Sequence, residues 1–331
     1  MEQNNMGSRV FILTFKLGLP FACWLTLALA APSETVAEAK VTPLYAHNDD
    51  LGAINNLSRQ GVLTAAGLIK TGKVYSLAYV TGPDTPAYGD RSYQIVTTPI
   101  YRDGQVHYGS NELGGFDEML ISNLGIGTQI DGFAHVNIAG RHFGDALTEQ
   151  VVQARGAVKY GIATVPPIVG RGVMLDMTTL YPSSIIPDST PFNREEIERV
   201  AQRQNVSIGR GDIVLLHTGW GTLMATEPDR FLATPPGLGL AGAEYLSDLG
   251  VVAIGADQWV VEALPAENPE QFLPVHNTWC GSVVSKRGVH ILENVRSDEL
   301  AADKAYEFFF MLAAPRFQGA VQTVAHPVAI R

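Results

Sequence analysis

An aspartate and a histidine four positions apart, Asp131 and His135, lie in a glycine-framed stretch that reads G-I-G-T-Q-I-D-G-F-A-H-V-N-I-A-G-R-H from Gly125 to His142. A hard carboxylate oxygen and a borderline imidazole nitrogen converging on one point suit zinc, manganese or iron better than calcium or magnesium. The same pair suits acid/base work, because an unperturbed imidazole titrates near neutrality. Glycines at 125, 127 and 132 allow the sharp turns that would aim both side chains inward. The residues equally fit a polar turn in which Asp131 caps a helix and His135 is a satisfied, half-buried side chain.

The elements that must position these groups read as α/β. Gly72 to Leu77 and Tyr93 to Thr98 have the β-branched and aromatic content of strands, the second bounded by Pro99. Arg171 to Asp176 is a buried strand ending in an acid. Asn193 opens a helix to about Gln204, with Glu196 three positions on as its capping-box partner. Ile213 to Trp220 follows as an apolar strand with polar residues, His217 and Thr218, near its C-terminal end. A second helix, Ala241 to Leu249, stops at Gly250 and leads into the apolar run Val251 to Asp257. Helix leading into strand twice over implies strands that carry polar ends toward one site.

Several of these segments resemble, in order, the cyclase family of metal-dependent hydrolases, which includes bacterial kynurenine formamidase, isatin hydrolase and related ring-opening enzymes. Gly127-Thr128, Asp131 and His135 fit its pattern H-x-G-T-H-x-D-x-x-x-H, while Gly125 and Gln129 stand where the pattern has its first two histidines. His47 to Asn56 is similar to the family's entry segment, whose acidic pair and L-G-x-x-N lie near the substrate pocket; Asp49 and Asp50 also read as helix caps. Arg171 to Asp176 is similar to G-R-G-V-L-L-D, and Gly211 to Trp220 to G-D-x-V-L-x-x-T-G-W. Pro274-Val275-His276 and Ile291-Leu292-Glu293-Asn294 resemble the P-V-H and I-L-E-N segments that complete the metal site. Their separation is longer by about one helical turn, which leaves a side chain on nearly the same helix face because four residues rotate by about 400°. If the usual spacing is kept instead, Cys280 takes the histidine's place as a thiolate ligand.

The resemblance implies a single swivelling β/β/α domain over residues 47–331 and one divalent transition metal, zinc or manganese. Asp131, His276 and Glu293 would hold the ion, with His135 either a further ligand or the proton shuttle. Gln129 would be a weak oxygen ligand or would orient the substrate carbonyl. Asp50, Asp176 and Trp220 would lie at the substrate pocket, Trp220 also reading as a core aromatic. The implied reaction opens a small cyclic amide, imide or lactone, or cleaves an aryl formamide, by metal-activated water, in a homo-oligomer. Two rival readings are a small-molecule binding protein of the same fold without catalysis, and a purely structural set of caps and buried hydrogen bonds.

Composition narrows the partners. The 331 residues carry 23 Lys+Arg against 33 Asp+Glu, a formal net charge of -10, which repels nucleic acid and anionic membrane surfaces. Arg9 and Lys16 precede an apolar run from Leu17 to Ala30 that ends in A-L-A, so residues 1–30 read as a secretory signal peptide and 31–46 as a linker. A second cut would follow Ala39. The run is too short for a stable membrane span and contains Pro20. The expected location is therefore periplasmic or secreted. Export would leave Cys280 as the lone thiol, without an internal disulfide partner.

Overall fold

Continuous apolar runs at the middle of the chain build the centre of a nine-stranded sheet, in a computed structural model that describes residues 49–101, 104–279 and 287–331. The expected signal peptide and linker, His47 and Cys280 lie outside the described residues. Strands are numbered β1 (Val74–Ser76), β2 (Tyr93–Pro99), β3 (Phe116–Ser122), β4 (Gln129–Asp131), β5 (Ile168–Asp176), β6 (Ile213–His217), β7 (Ala253–Ala256), β8 (His290–Glu293), β9 (Glu307–Leu312), β10 (Gln322–Val324) and β11 (Val328–Ile330). The order across the sheet is β1-β11-β9-β5-β6-β7-β8-β4-β10.

The strands β5, β6, β7 and β8 are parallel neighbours, and the remaining pairs on either side are antiparallel. Parallel neighbours need crossovers, and helices supply them: α1 (Arg194–Gln204) between β5 and β6, α2 (Leu240–Asp248) between β6 and β7, and α3 (Pro274–Trp279) between β7 and β8. Glu196 reaches back to the Asn193 N–H at 3.0 Å, as the capping pattern anticipates, while the Asn193 Oδ1 accepts from Gly242 and so ties α1 to α2. Gly250 takes a left-handed φ of 81° just past α2, which ends that helix.

Central strands buried on both faces should lack polar alternation, and β7 and β8 are buried throughout. The period of two divides the side chains between two cores. Val214, Leu216, Val173 and Leu175 face the α1 and α2 side with Ile197, Val200 and Leu246, whereas Ile213, Leu215 and Met174 pack on the opposite face beside Phe308, Phe310 and Ile130 of the same sheet. Burying each such aliphatic side chain contributes about 1.5–3 kcal/mol relative to exposure. The described residues form one mixed α/β domain, as expected.

The strand anticipated at 93–98 is present but includes Pro99 and stands outside the main sheet. It pairs antiparallel with β3, from Tyr93↔Ser122 to Pro99↔Phe116. A two-stranded ribbon has free edges on both sides, which is why it can accommodate a proline.

Candidate active site

Three adjacent strands at one side of the sheet place four polar side chains together. In the antiparallel register Glu293 of β8 lies opposite Gln129 of β4, and Gln322 of β10 lies opposite Asp131 of β4. Residues i and i+2 share a face and directly paired residues are close neighbours, so the four converge. Helix α3 brings His276 over them. Its Nε2 lies 3.2 Å from Glu293 Oε1 and 3.6 Å from Asp131 Oδ2. Asp131, His276 and Glu293 are all buried, and one donor atom from each falls within 4.8 Å of the others.

The loop before β4 is fastened where the family motif matches. Thr128 donates its hydroxyl to the Asn294 carbonyl and accepts the Tyr79 N–H, and Asn294 returns a side-chain N–H to the Gly127 carbonyl. Gly127 has φ of 70°, and a Cβ there would lie 2.0 Å from the Thr81 hydroxyl, so only glycine fits. From the other side, His290 donates Nδ1–H to the Asp131 carbonyl and stacks on Phe133, with burial pushing its pKa down to about 4.

The electrostatics of the trio favour a divalent cation. Burial, joined by the adjacent Asp131 charge, pushes the Glu293 carboxyl up to about 7. Burial also pushes Asp131 up, but His135 and His276 outweigh it and hold the carboxyl below its ordinary value. For His276 burial works against the proton, yet the nearby Asp131 carboxylate and the bonds to Glu262 and Glu293 raise its pKa well above the usual imidazole range. Asp131 Oδ2 is buried without a hydrogen-bond partner. An orphaned carboxylate oxygen, a second carboxylate and an imidazole are the donor set that zinc or manganese accepts. These residues fit the ion that the motif implies.

Gln129 is drawn into the same cluster. Its Nε2 donates to Glu293 Oε2 at 2.8 Å and also meets Gln322 Oε1 at 3.3 Å and Asp131 Oδ1 at 3.4 Å. Three surrounding acceptors fix which end of the amide is nitrogen. The amide therefore holds the carboxylates from behind.

His276 and Glu293 also line a cavity of about 200 Å³ with His135, Arg91, Tyr88, Trp259 and Phe272. Tyr88 stacks on Trp259 with ring centroids 5.1 Å apart and planes 6° apart, so the two rings form one parallel stack at the cavity. Arg91 donates to the Gly125 carbonyl at 2.5 Å and contributes a guanidinium to the lining. His135 is half-buried at this cavity and outside the 4.8 Å cluster; burial, partly opposed by Asp131, lowers its pKa below the ordinary value.

Other anticipated pocket residues stand apart from this lining. Asp50 is exposed, 4.0 Å from the Lys159 ammonium. Asp176 caps a short turn by accepting from Thr178. Trp220 is fully buried in an apolar cluster with Phe231, whose carbonyl accepts its indole N–H at 3.1 Å; Trp259 belongs to the same cluster and is the tryptophan that reaches the cleft. The polar strand ends His217 and Thr218 bind Ser297 and Asp257. Sequence reasoning missed Glu262, Arg91, Tyr88, Trp259 and Gln322. Glu262 alone had a usable signal, a single acid in the apolar run V-V-E-A-L, where a carboxylate needs a buried partner. Among the described residues, the larger hollows beside Arg171 and Arg210 and beside Pro83 to Pro86 contain no comparable cluster.

By its donor set this is a site suited to a divalent ion within an α/β domain. The Cyclase family model matches residues 75–263, more than half of the sequence, and the chain belongs to the cyclase family. The structure superposes on that of a novel cyclase with a TM-score of 0.75 at 24% identity, over 86% of this chain and 97% of the other. Isatin hydrolase A from Ralstonia solanacearum gives a TM-score of 0.59 at 17% identity, over 83% and 98% of the two chains. An isatin hydrolase bound to the product analogue thioisatinate gives 0.55 at 19% identity, over 82% and 98%. These likenesses establish a shared fold. No curated protein matches the sequence.

Proposed function

We propose that this chain is a metal-dependent hydrolase that opens a small, flat cyclic amide, imide or lactone, or cleaves an aryl formamide. The observation that carries the reading is the buried Asp131, His276 and Glu293 cluster, with its orphaned oxygen, at a cleft walled by Tyr88 and Trp259. Asp131, His276 and Glu293 would hold one divalent transition metal, zinc or manganese. When bound, such an ion supplies Lewis acidity and lowers the pKa of water toward neutrality.

The chain's own residues supply the remainder. The open face of the Tyr88–Trp259 stack would receive a planar ring and exclude water from that side of it. His135, neutral because burial lowers its pKa, would take a proton from attacking water at its free ring nitrogen and return it to the leaving nitrogen or oxygen. Arg91 would stabilise negative charge at the cleft as a carbonyl becomes a carboxylate. Gln129 keeps the Asp131 and Glu293 oxygens in place.

The test is metal content of the purified protein, followed by turnover on lactones, cyclic imides, isatin-like rings and aryl formamides after reconstitution with zinc or manganese. Absence of metal uptake and of turnover refutes the reading. A second reading, a binding protein of the same fold without catalysis, draws on Gly125 and Gln129 at two family histidine positions. A small molecule that raises thermal stability without turning over would favour it. The basic start and apolar run ending in Ala28-Leu29-Ala30 support export to a periplasmic or external space. Among the described residues no helix is long and apolar enough to cross a membrane. The family resemblance supports a homo-oligomer acting on a small-molecule substrate.

A further inference from the structure

Glu262 is 1% exposed and lies just before the loop that leads to α3, in none of the segments that carry the family motifs. Its two oxygens face three N–H groups. Oε2 accepts from the Val275 backbone at 2.8 Å; Oε1 accepts from the His276 backbone at 3.0 Å and lies 2.6 Å from His276 Nδ1. The opposite ring nitrogen, Nε2, faces Glu293 and Asp131. An imidazole can ligate through Nε2 only if that nitrogen gives up its proton, so the remaining proton must sit on Nδ1, where it needs an acceptor.

We propose that Glu262 is the positioning residue of the site: it holds the His276 proton on Nδ1, leaves the Nε2 lone pair free for the ion that Asp131 and Glu293 would share with it, and anchors the first turn of α3. This inference rests on the metal-site reading above. The carboxylate is the group the position requires, because it offers two acceptors and no donor. Glutamine has nearly the same shape but one acceptor. If its oxygen serves Val275, its NH2 faces His276 Nδ1 and forces the proton to Nε2. If its oxygen serves His276, the NH2 faces the buried Val275 N–H and both donors lose their partner. Either arrangement weakens ligation.

The experiment uses the full mature chain, stripped of metal, and zinc as the probe. Zinc affinity is measured by competition with a chromophoric chelator for wild type and Glu262→Gln, alongside the thermal midpoint of each metal-free protein. A parallel measurement on zinc-loaded wild type, labelled with ¹⁵N in histidine, reads the tautomer of His276, assigned by its loss in His276→Ala, and does not depend on the variant folding. Expected are 10- to 100-fold weaker zinc binding in Glu262→Gln, and a wild-type His276 that carries its proton on Nδ1. Equal zinc affinity in wild type and variant, or a zinc-loaded His276 protonated on Nε2, overturns the inference while leaving the metal site in place. A wild-type chain that takes up neither zinc nor manganese overturns the metal-site reading and this inference together.

Discussion

Replacing Gly125 with alanine tests how the chain fills the place of a family histidine. A Cβ at this buried position would lie 2.4 Å from Gln322 Nε2, 2.5 Å from its Cδ and 2.6 Å from its Oε1. Ordinary contact begins at 3.4 Å, so the amide must retreat by about 1 Å. That movement breaks the Gln129 to Gln322 hydrogen bond, about 0.5–1.5 kcal/mol, and drives Gln322 off its rotamer, about 0.5–1.5 kcal/mol more. Gly125→Ala should therefore destabilise the metal-free protein by about 1–3 kcal/mol, the usual cost of overpacking. Urea unfolding of the four proteins of a double-mutant cycle with Gln322→Ala provides the assay. With the long amide gone the clash has no partner, and the coupling energy should be about 1–3 kcal/mol. A Gly125→Ala cost that persists unchanged in the Gln322→Ala background would refute the reasoning. The same geometry says that Gly125→His can fit only when Gln322 is shortened.

Further outcomes are expected from the site and from the proposed export. Asp131→Ala and Glu293→Ala should each abolish metal retention through dialysis, as read by elemental analysis, while Cys280→Ser retains it; the reverse pattern, with His276→Ala still loaded, would make the thiolate the ligand. His135→Ala should lower the rate by about 10²–10⁴-fold with metal retained. Because a neutral imidazole is the active form and burial lowers its pKa, wild-type kcat/KM should show an ascending limb centred below about 6.5 that is lost in His135→Ala; a limb that persists unchanged in the variant contradicts the assignment. Tyr88→Ala removes half of the aromatic stack from an exposed position and should raise KM by about 2- to 10-fold with little change in kcat, as steady-state kinetics would register. The protein recovered from cells should begin after Ala30 or Ala39 by mass spectrometry, and an intact Met1 would remove the export proposal.

Legibility in the sequence followed the range over which each feature is encoded. The α/β class could be read because α1, α2, β6 and β7 carry local signals: the Asn193 and Glu196 pair, the stop at Gly250 and unbroken apolar runs. Asp131, His135, His276 and Glu293 stood out because they fall in motifs of recognisable spacing. Their division into a buried cluster and a half-buried imidazole did not, since spacing along the chain says nothing about which side chain a distant helix will cover. Strand β4 is three residues long, too short for any period, and its neighbours β8 and β10 arrive more than 150 positions later. Gln322 was invisible for that reason, and so was the role of Gln129, whose amide is oriented by acceptors from two other strands. The tryptophans make the same point. Trp220 and Trp259 each follow an apolar strand, and the motif resemblance pointed to Trp220 for the cleft. The structure decides between them through Phe231, which buries Trp220 and accepts its indole N–H, and through Tyr88, which meets Trp259 face to face. The residues that choose which aromatic a substrate meets are thus partners brought in from elsewhere in the chain, and a change at Phe231 or Tyr88 would alter the cleft without touching any motif residue.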